Sequence, residues 1–200
     1  MGGRYALVIR DFYTRYTYCK ILNYQTEFLS ELKRFVAYAE NHHNARIGQM
    51  HKSCAARLPI RIGHMRMDRL SVHHDKLTQA YLKDRGTKPE FVGPGMASHY
   101  QAGSLETVMY PNNRRVVAAM QYANAPRMMW GDAWLHVVNT ISNLTKRPGD
   151  SQTPYEMWNY ATKNELTSFV DGLRVLFCLC FPHFSRETRK KLDLRSGPGL

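Results

Sequence analysis

Between Tyr5 and Ala39 the apolar spacing changes from every second residue to every third or fourth, and that change selects an α/β domain. Tyr5 to Ile9 is an apolar strand, Asp11 to Thr14 is a turn, and Tyr16, Tyr18, Lys20 and Leu22 alternate along a second strand. From Glu27 onward Phe28, Leu32, Phe35, Val36 and Ala39 form one helical stripe, with Glu31, Lys33 and Arg34 outside it. A hairpin feeding a helix must bury an apolar face on that helix, which is how many α/β domains begin.

The pattern weakens beyond this point. Residues 41–61 are polar, basic and aperiodic, so they read as an exposed loop in which His42 and His43 are solvated. Ile62 to Met67 reads as a short strand ending at Asp68. Lys76 to Arg85 reads as a helix with Leu77, Ala80 and Tyr81 inward and Gly86 as its C-cap. Glu90 to Val92 is a further short strand, and Gly93-Pro94-Gly95 opens a flexible segment reaching about Gly103.

The second half is helical. Met128, Met129, Ala133, Trp134, Val137, Val138, Ile141 and Leu144 form a strong stripe that Arg147-Pro148-Gly149 stops. Thr153-Pro154-Tyr155-Glu156 is a capping box with proline at the first helical position. Leu173 to Phe181 is a β-like apolar run, and the basic tail after it is loosely held.

Charge narrows the function. Twenty-eight Lys and Arg against sixteen Asp and Glu give +12, with a pI near 9.7. That excess suits a polyanionic partner, since each neutralised phosphate releases a counterion; the alternative is a basic but inert surface. The longest apolar run, Val175 to Phe181, is too short for a membrane span, and Arg4, Arg10 and Asp11 interrupt any signal-peptide core. Cys19, Cys54, Cys178 and Cys180 make no disulfide framework and suit a reducing compartment.

Nucleotide-cradling glycine motifs and a Gly-x-Ser-x-Gly elbow are absent. The pairs His42-His43 and His73-His74 have no Cys-x-x-Cys beside them, so a zinc site is disfavoured. Asp68 at a strand end and Glu106 before a helical segment are the sharper candidates. Acids placed so can converge at a sheet edge and hold divalent cations for phosphodiester chemistry.

Five motifs in order resemble the integrase core of Copia-type retrotransposon polyproteins, over nearly the whole chain. The R-Y…D-x-x-(S/T)-R-Y hairpin is matched by Arg4, Tyr5, Asp11, Thr14, Arg15 and Tyr16. Ala125-Pro126 through Trp130 matches (L/A)-P-x-x-x-W, and Thr153 through Trp158 matches T-P-Y-E-x-W. Leu173-Arg174-Val175 with Cys178, then Lys190-Lys191-Leu192-Asp193 with Arg195-Ser196, follow the family's last two segments. The resemblance implies a ribonuclease-H-like α/β fold: a mixed five-stranded sheet flanked by helices, with a helical C-terminal half. It implies an integrase core over residues 1–145 and a C-terminal extension with its basic tail over 146–200.

It further implies metal-dependent DNA strand transfer, with Asp68 and Glu106 as catalytic residues and ligands to Mg²⁺ or Mn²⁺. Retrotransposon ends and target DNA are the implied partners, alongside a homo-oligomer, in the nucleus or cytoplasm and away from membranes. The nucleic-acid-binding candidates are Arg57, Arg61, Arg66, Arg69, Lys83, Arg85, Arg114, Arg115, Arg189, Lys190 and Lys191, with Tyr100 or Trp130 available for stacking; for Trp130, packing is favoured.

The departures are specific. The family's first catalytic aspartate precedes the hairpin and has no counterpart here, while Asp11 is a turn residue. Arg69-Leu70 replaces Asn-Gly after Asp68, and Pro111 falls where a continuous helix is expected, at about 3 kcal/mol if truly interior. The expectation is therefore a truncated, catalytically impaired integrase-core fragment. The alternatives are a non-catalytic nucleic-acid-binding remnant and a pseudogene product.

Overall fold

A computed structural model describes residues 3–50, 59–68, 75–92, 96–161 and 163–177; the side chains of 46–50, 68, 92, 96–106, 163 and 164 fall outside that description. Strand β1 (Tyr5–Arg10) and strand β2 (Thr17–Leu22) form an antiparallel hairpin in register from Tyr5 opposite Leu22 to Arg10 opposite Thr17. Asp11 builds the turn, as read: its Oδ2 accepts from the Thr14 amide at 2.6 Å and the Thr14 hydroxyl at 2.7 Å. Arg15 closes the loop with φ at 64°, a left-handed conformation that a non-glycine residue holds only under such constraint.

Strand alternation gives the hairpin two apolar faces. Leu7, Ile9, Tyr16 and Tyr18 pack on a cluster built from helix α1 (Phe28–Met50). Val8, Cys19 and Ile21 pack on a second cluster built from helix α3 (Met96–Tyr122) and helix α4 (Trp130–Val137). The hairpin is thus the middle layer between two helical layers. Burial in the second cluster pushes the Cys19 thiol up to about 12, so Cys19 packs there as a small hydrophobe.

The α1 stripe is as read: Phe28, Leu32, Phe35, Val36 and Ala39 are all buried. The loop expected over residues 41–61 is corrected over 41–50, because α1 continues through Met50; residues 59–61 belong to no helix or strand, and 51–58 lie outside the described residues. The same stripe runs on at the next helical spacing through His42 and His43, which carry ring contacts in place of aliphatic ones.

Strand β3 (His64–Asp68), helix α2 (Lys76–Asp84) and strand β4 (Lys88–Val92) make a parallel unit, in register from His64 opposite Lys88 to Asp68 opposite Val92. Gly86, at φ 71°, ends α2 as expected: its N–H bonds to Lys83 O and that of Thr87 to Leu82 O. The inward face of α2 is corrected. Thr78 and Leu82 are buried and Leu77 is 68% exposed, because Tyr81 and Leu82 face the α1 cluster at the spacing that brings Thr78 with them.

Helix α3 is continuous from Met96, where a flexible segment to Gly103 was expected, and it contains Pro111. The missing Pro111 N–H removes one helical bond, but tertiary contacts hold the next turn: Asn112 is fully buried and donates to Ser142 Oγ at 2.7 Å, and Trp134 Nε1 donates to Asn113 Oδ1 at 3.2 Å. Helix α4 follows the predicted stripe through Ala133, Trp134, Val137 and Val138, although Met128 is exposed. A wider π turn over Val138–Ser142 follows it.

Helix α5 (Pro154–Asn159) begins with the capping box read from sequence. The Glu156 amide donates to Thr153 Oγ1 at 3.1 Å and the Thr153 amide to Glu156 Oε2 at 2.7 Å. Helix α6 (Lys163–Asp171) packs on it through stacked Tyr155 and Phe169 rings 4.7 Å apart. The β-like run expected from Leu173 is corrected over Leu173–Phe177, which pairs with no strand among the described residues; the remainder to Phe181 lies outside them.

The architecture is mixed α/β. Where a single five-stranded sheet was expected, the described residues form two two-stranded sheets, β1-β2 and β3-β4. Both rest on one core, since Leu7 and Ile9 share the α1 cluster with Met65, Met67 and Phe91. Among the described residues, no helix is long and apolar enough to cross a membrane.

Candidate functional site

Asp68 is the last residue of β3 and lies in register with Val92, the last residue of β4. The chain re-enters helix at Met96, and Glu106 falls inside α3. Asp68 therefore ends one strand of the parallel pair, at the edge where open α/β sheets place ligands, whereas Glu106, expected before a helical segment, lies ten residues inside α3. Their side chains lie outside the described residues. Among the described residues no group of three or more His, Cys, Asp and Glu converges.

The basic candidates divide by partner. Arg66 sits directly across from Glu90 and forks onto its carboxylate, Nη2 at 3.0 Å from Oε2 and Nε at 3.1 Å from the same oxygen. Arg85 is paired with Glu40, whose other oxygen accepts from the Ile62 amide at 3.0 Å, so the pair ties α2 to α1. Those two charges are matched within the fold. Arg61, Lys83, Arg114 and Arg115 are exposed, with Arg115 donating to Asn112 Oδ1 at 3.1 Å. Arg57, Arg69, Arg189, Lys190, Lys191 and the side chain of Tyr100 lie outside the described residues. Trp130 packs, as favoured: its Nε1 donates to Gly3 O at 2.9 Å, and the ring joins the α4 cluster.

Two features escaped the sequence reading. The first is a ring cluster around Trp158, which is 3% exposed. Tyr16 stacks on it at 4.8 Å, His43 meets it edge-on at 4.5 Å, and His42 lies parallel at 6.1 Å. His42 Nε2 is 3.1 Å from Trp158 O and His43 Nδ1 is 3.2 Å from the Tyr160 hydroxyl. The histidines expected to be solvated are thus structural, anchoring α5 on α1. The signal was present: they continue the α1 stripe, but polar flanks hid it.

Burial, then the charge of His42, lowers the His43 pKa, against a smaller opposing effect of Asp11. The unfolded chain therefore binds the proton more readily. Stability is fully present above the ordinary value of 6.5 and falls as pH drops through it toward the folded value. Thermal unfolding between pH 7.5 and 5.5 should show a falling midpoint, and His43→Gln should flatten part of that slope. An unchanged slope in the variant would remove His43 from this role.

The second missed feature is the bond from Asn143 to the hairpin. Its Oδ1 accepts from the Thr17 amide at 2.8 Å and its Nδ2 donates to Thr17 O at 2.9 Å. Asn143 and Thr17 are each 1% exposed. Beside them a cavity of about 370 Å³ opens between Tyr16, His136, Thr140, Tyr155, Phe169 and Leu173.

No protein-family model matches the chain. In sequence it is similar to the retrovirus-related Pol polyprotein from transposon TNT 1-94 of Nicotiana tabacum: 22% identity over 197 residues, covering 98% of this chain and 13% of the polyprotein. In fold it is similar to a chain of the simian T-cell lymphotropic virus intasome in complex with the PP2A regulatory subunit B56 gamma. That likeness has a TM-score of 0.55 at 13% identity, over 96% of this chain and 60% of that one. The likeness is to a retrotransposon Pol polyprotein in sequence and to an intasome chain in fold.

Proposed function

We propose that this chain is an integrase-core segment of a Copia-type retrotransposon polyprotein, binding DNA through its basic surface and impaired in strand transfer on its own. The observation that carries the reading is coverage: 98% of the chain is similar to one stretch of a transposon Pol polyprotein, and 96% of it to a chain in an intasome structure. Asp68 at the carboxyl end of β3 supports the metal-ligand assignment, with Glu106 inside the helix that follows β4.

A ribonuclease-H-like sheet is the finer proposal. Two two-stranded sheets on one core, each with an edge unpaired among the described residues, suit a strand added between β1 and β3. Such a strand would complete five and would carry the family's first aspartate. Asp68 and Glu106 by themselves offer Mg²⁺ or Mn²⁺ few oxygen ligands at fixed geometry. When bound, the metal supplies Lewis acidity to phosphodiester chemistry; the chain's own part is to hold it with Asp68 and Glu106.

Isothermal titration of Mn²⁺, with Asp68→Asn as control, tests the impairment. The expected result is no saturable binding at micromolar metal; tight binding lost in the variant would restore catalysis and overturn the impaired reading. DNA binding is tested by its salt dependence. Four phosphate contacts predict about a hundredfold weakening between 50 and 200 mM salt, and a salt-independent affinity would refute the basic-surface mode. A binding remnant without any metal role is the second reading, favoured by Arg114 and Arg115, which are exposed and paired with no carboxylate among the described residues.

A further inference from the structure

The β1–β2 hairpin carries at its tip a group of side chains that neither the core nor the acid pair uses. Phe12 is 71% exposed and Tyr13 is 81% exposed, and neither ring belongs to an apolar cluster. Adjacent exposed aromatics of this size at a loop tip call for a partner surface. Arg15 lies beside them, its guanidinium carbon 4.8 Å above the Phe12 ring.

Two more guanidinium groups share this end of the hairpin. Arg10 is the register partner of Thr17, the residue that Asn143 grips, and Arg147 follows Asn143 by four residues, beyond the end of the helix that holds it. The three charges feel one another: burial first, then Arg147 and Arg15, lower the Arg10 pKa to about 10. Asp11 in the same turn accepts from the Thr14 amide and hydroxyl through Oδ2 and pairs with neither Arg15 nor Arg147. Among the described residues neither Arg15 nor Arg147 is paired with a carboxylate. Arg15 and Arg147 thus offer positive charge beside the exposed rings, and an anion would neutralise it.

We infer that the hairpin tip is a docking site for single-stranded nucleic acid, with Arg15 and Arg147 on phosphates and Phe12 and Tyr13 stacked on unpaired bases. The inference rests on the reading of the chain as a nucleic-acid-binding segment and adds the strand class and the residues. Single-stranded chemistry follows from the rings: a base offers its π-face to a side chain only when it is unstacked, whereas a duplex offers phosphates alone.

Fluorescence anisotropy on the full chain decides it, with labelled poly(dT), poly(U) and a duplex of equal length as probes. Phe12→Ala/Tyr13→Ala should weaken both single strands by about tenfold or more and leave the duplex within about twofold. Arg15→Gln/Arg147→Gln should weaken all three probes and reduce the salt slope by about two. All four positions are at least partly exposed, and unchanged melting would verify that folding is intact. Lys83→Gln/Arg114→Gln, at two other binding candidates, is the control away from the hairpin and should weaken duplex and single strands alike.

Equal losses for duplex and single strands in the aromatic variant would overturn the stacking assignment. Full binding by both hairpin variants, with loss in the control, would overturn the site while leaving the basic-surface reading standing. A wild-type chain that binds none of the probes would overturn both.

Discussion

Replacing Trp158 with alanine is expected to destabilise the fold by about 3–5 kcal/mol, read from urea unfolding. Trp158 is 3% exposed and is the one side chain of α5 in the α1 cluster of buried residues. Its ring lies 4.8 Å from Tyr16, 4.5 Å from His43 and 6.4 Å from Phe35, so β2, α1 and α5 meet on it. Each such ring contact adds about 0.5–1.5 kcal/mol beyond area burial. The indole N–H is buried without a hydrogen-bond partner among the described residues. Trp158→Phe should therefore recover most of the loss, because it removes a donor that contributes no bond and keeps the stacking. A cost below about 1 kcal/mol for Trp158→Ala would mean that α5 does not contribute to the cooperative core.

The second large effect is expected at Asn143. Asn143→Ala leaves the amide and carbonyl of Thr17 buried without partners, at about 1–3 kcal/mol each. Asn143→Asp should be worse at neutral pH, since it keeps an acceptor for the Thr17 amide but sets a carboxylate against the Thr17 carbonyl in a site 1% exposed. Burial and that oxygen both favour the protonated acid, raising the introduced carboxyl's folded pKa above its unfolded value. Its stability contribution is then present below the unfolded value and lost as pH rises through the folded one. Measured against wild type at the same pH, the Asp variant should approach or surpass the Ala variant near pH 4 and fall below it at pH 7. A pH-independent difference would mean that the side chain no longer faces Thr17.

The site itself was partly legible. Asp68 was placed at a strand end because β-like residues precede it, and β3 ends there. Arg66 and Arg85 read as free basic residues because their acids, Glu90 and Glu40, are 24 and 45 positions away and no local spacing links them. The hairpin arginines were passed over for the same reason: Arg10 and Arg147 are far apart in the chain, and the segment before Arg147 meets the hairpin through the Asn143 bond to Thr17 across 126 positions.

What the sequence determined by itself is what a few neighbouring residues can decide. Period-two alternation set the hairpin, the Phe28 to Ala39 stripe set the buried face of α1, Asp11 set the turn, and Thr153 with Glu156 set the start of α5. Each is a local hydrogen bond or a local burial preference. The tertiary structure alone decided that α1 runs on through His42 and His43 to Trp158, and that α3 passes through Pro111. It also decided that the strands divide into two pairs on one core. In each case contacts from distant segments outweigh a local propensity worth about 1–3 kcal/mol, and such contacts leave no periodic trace in the chain.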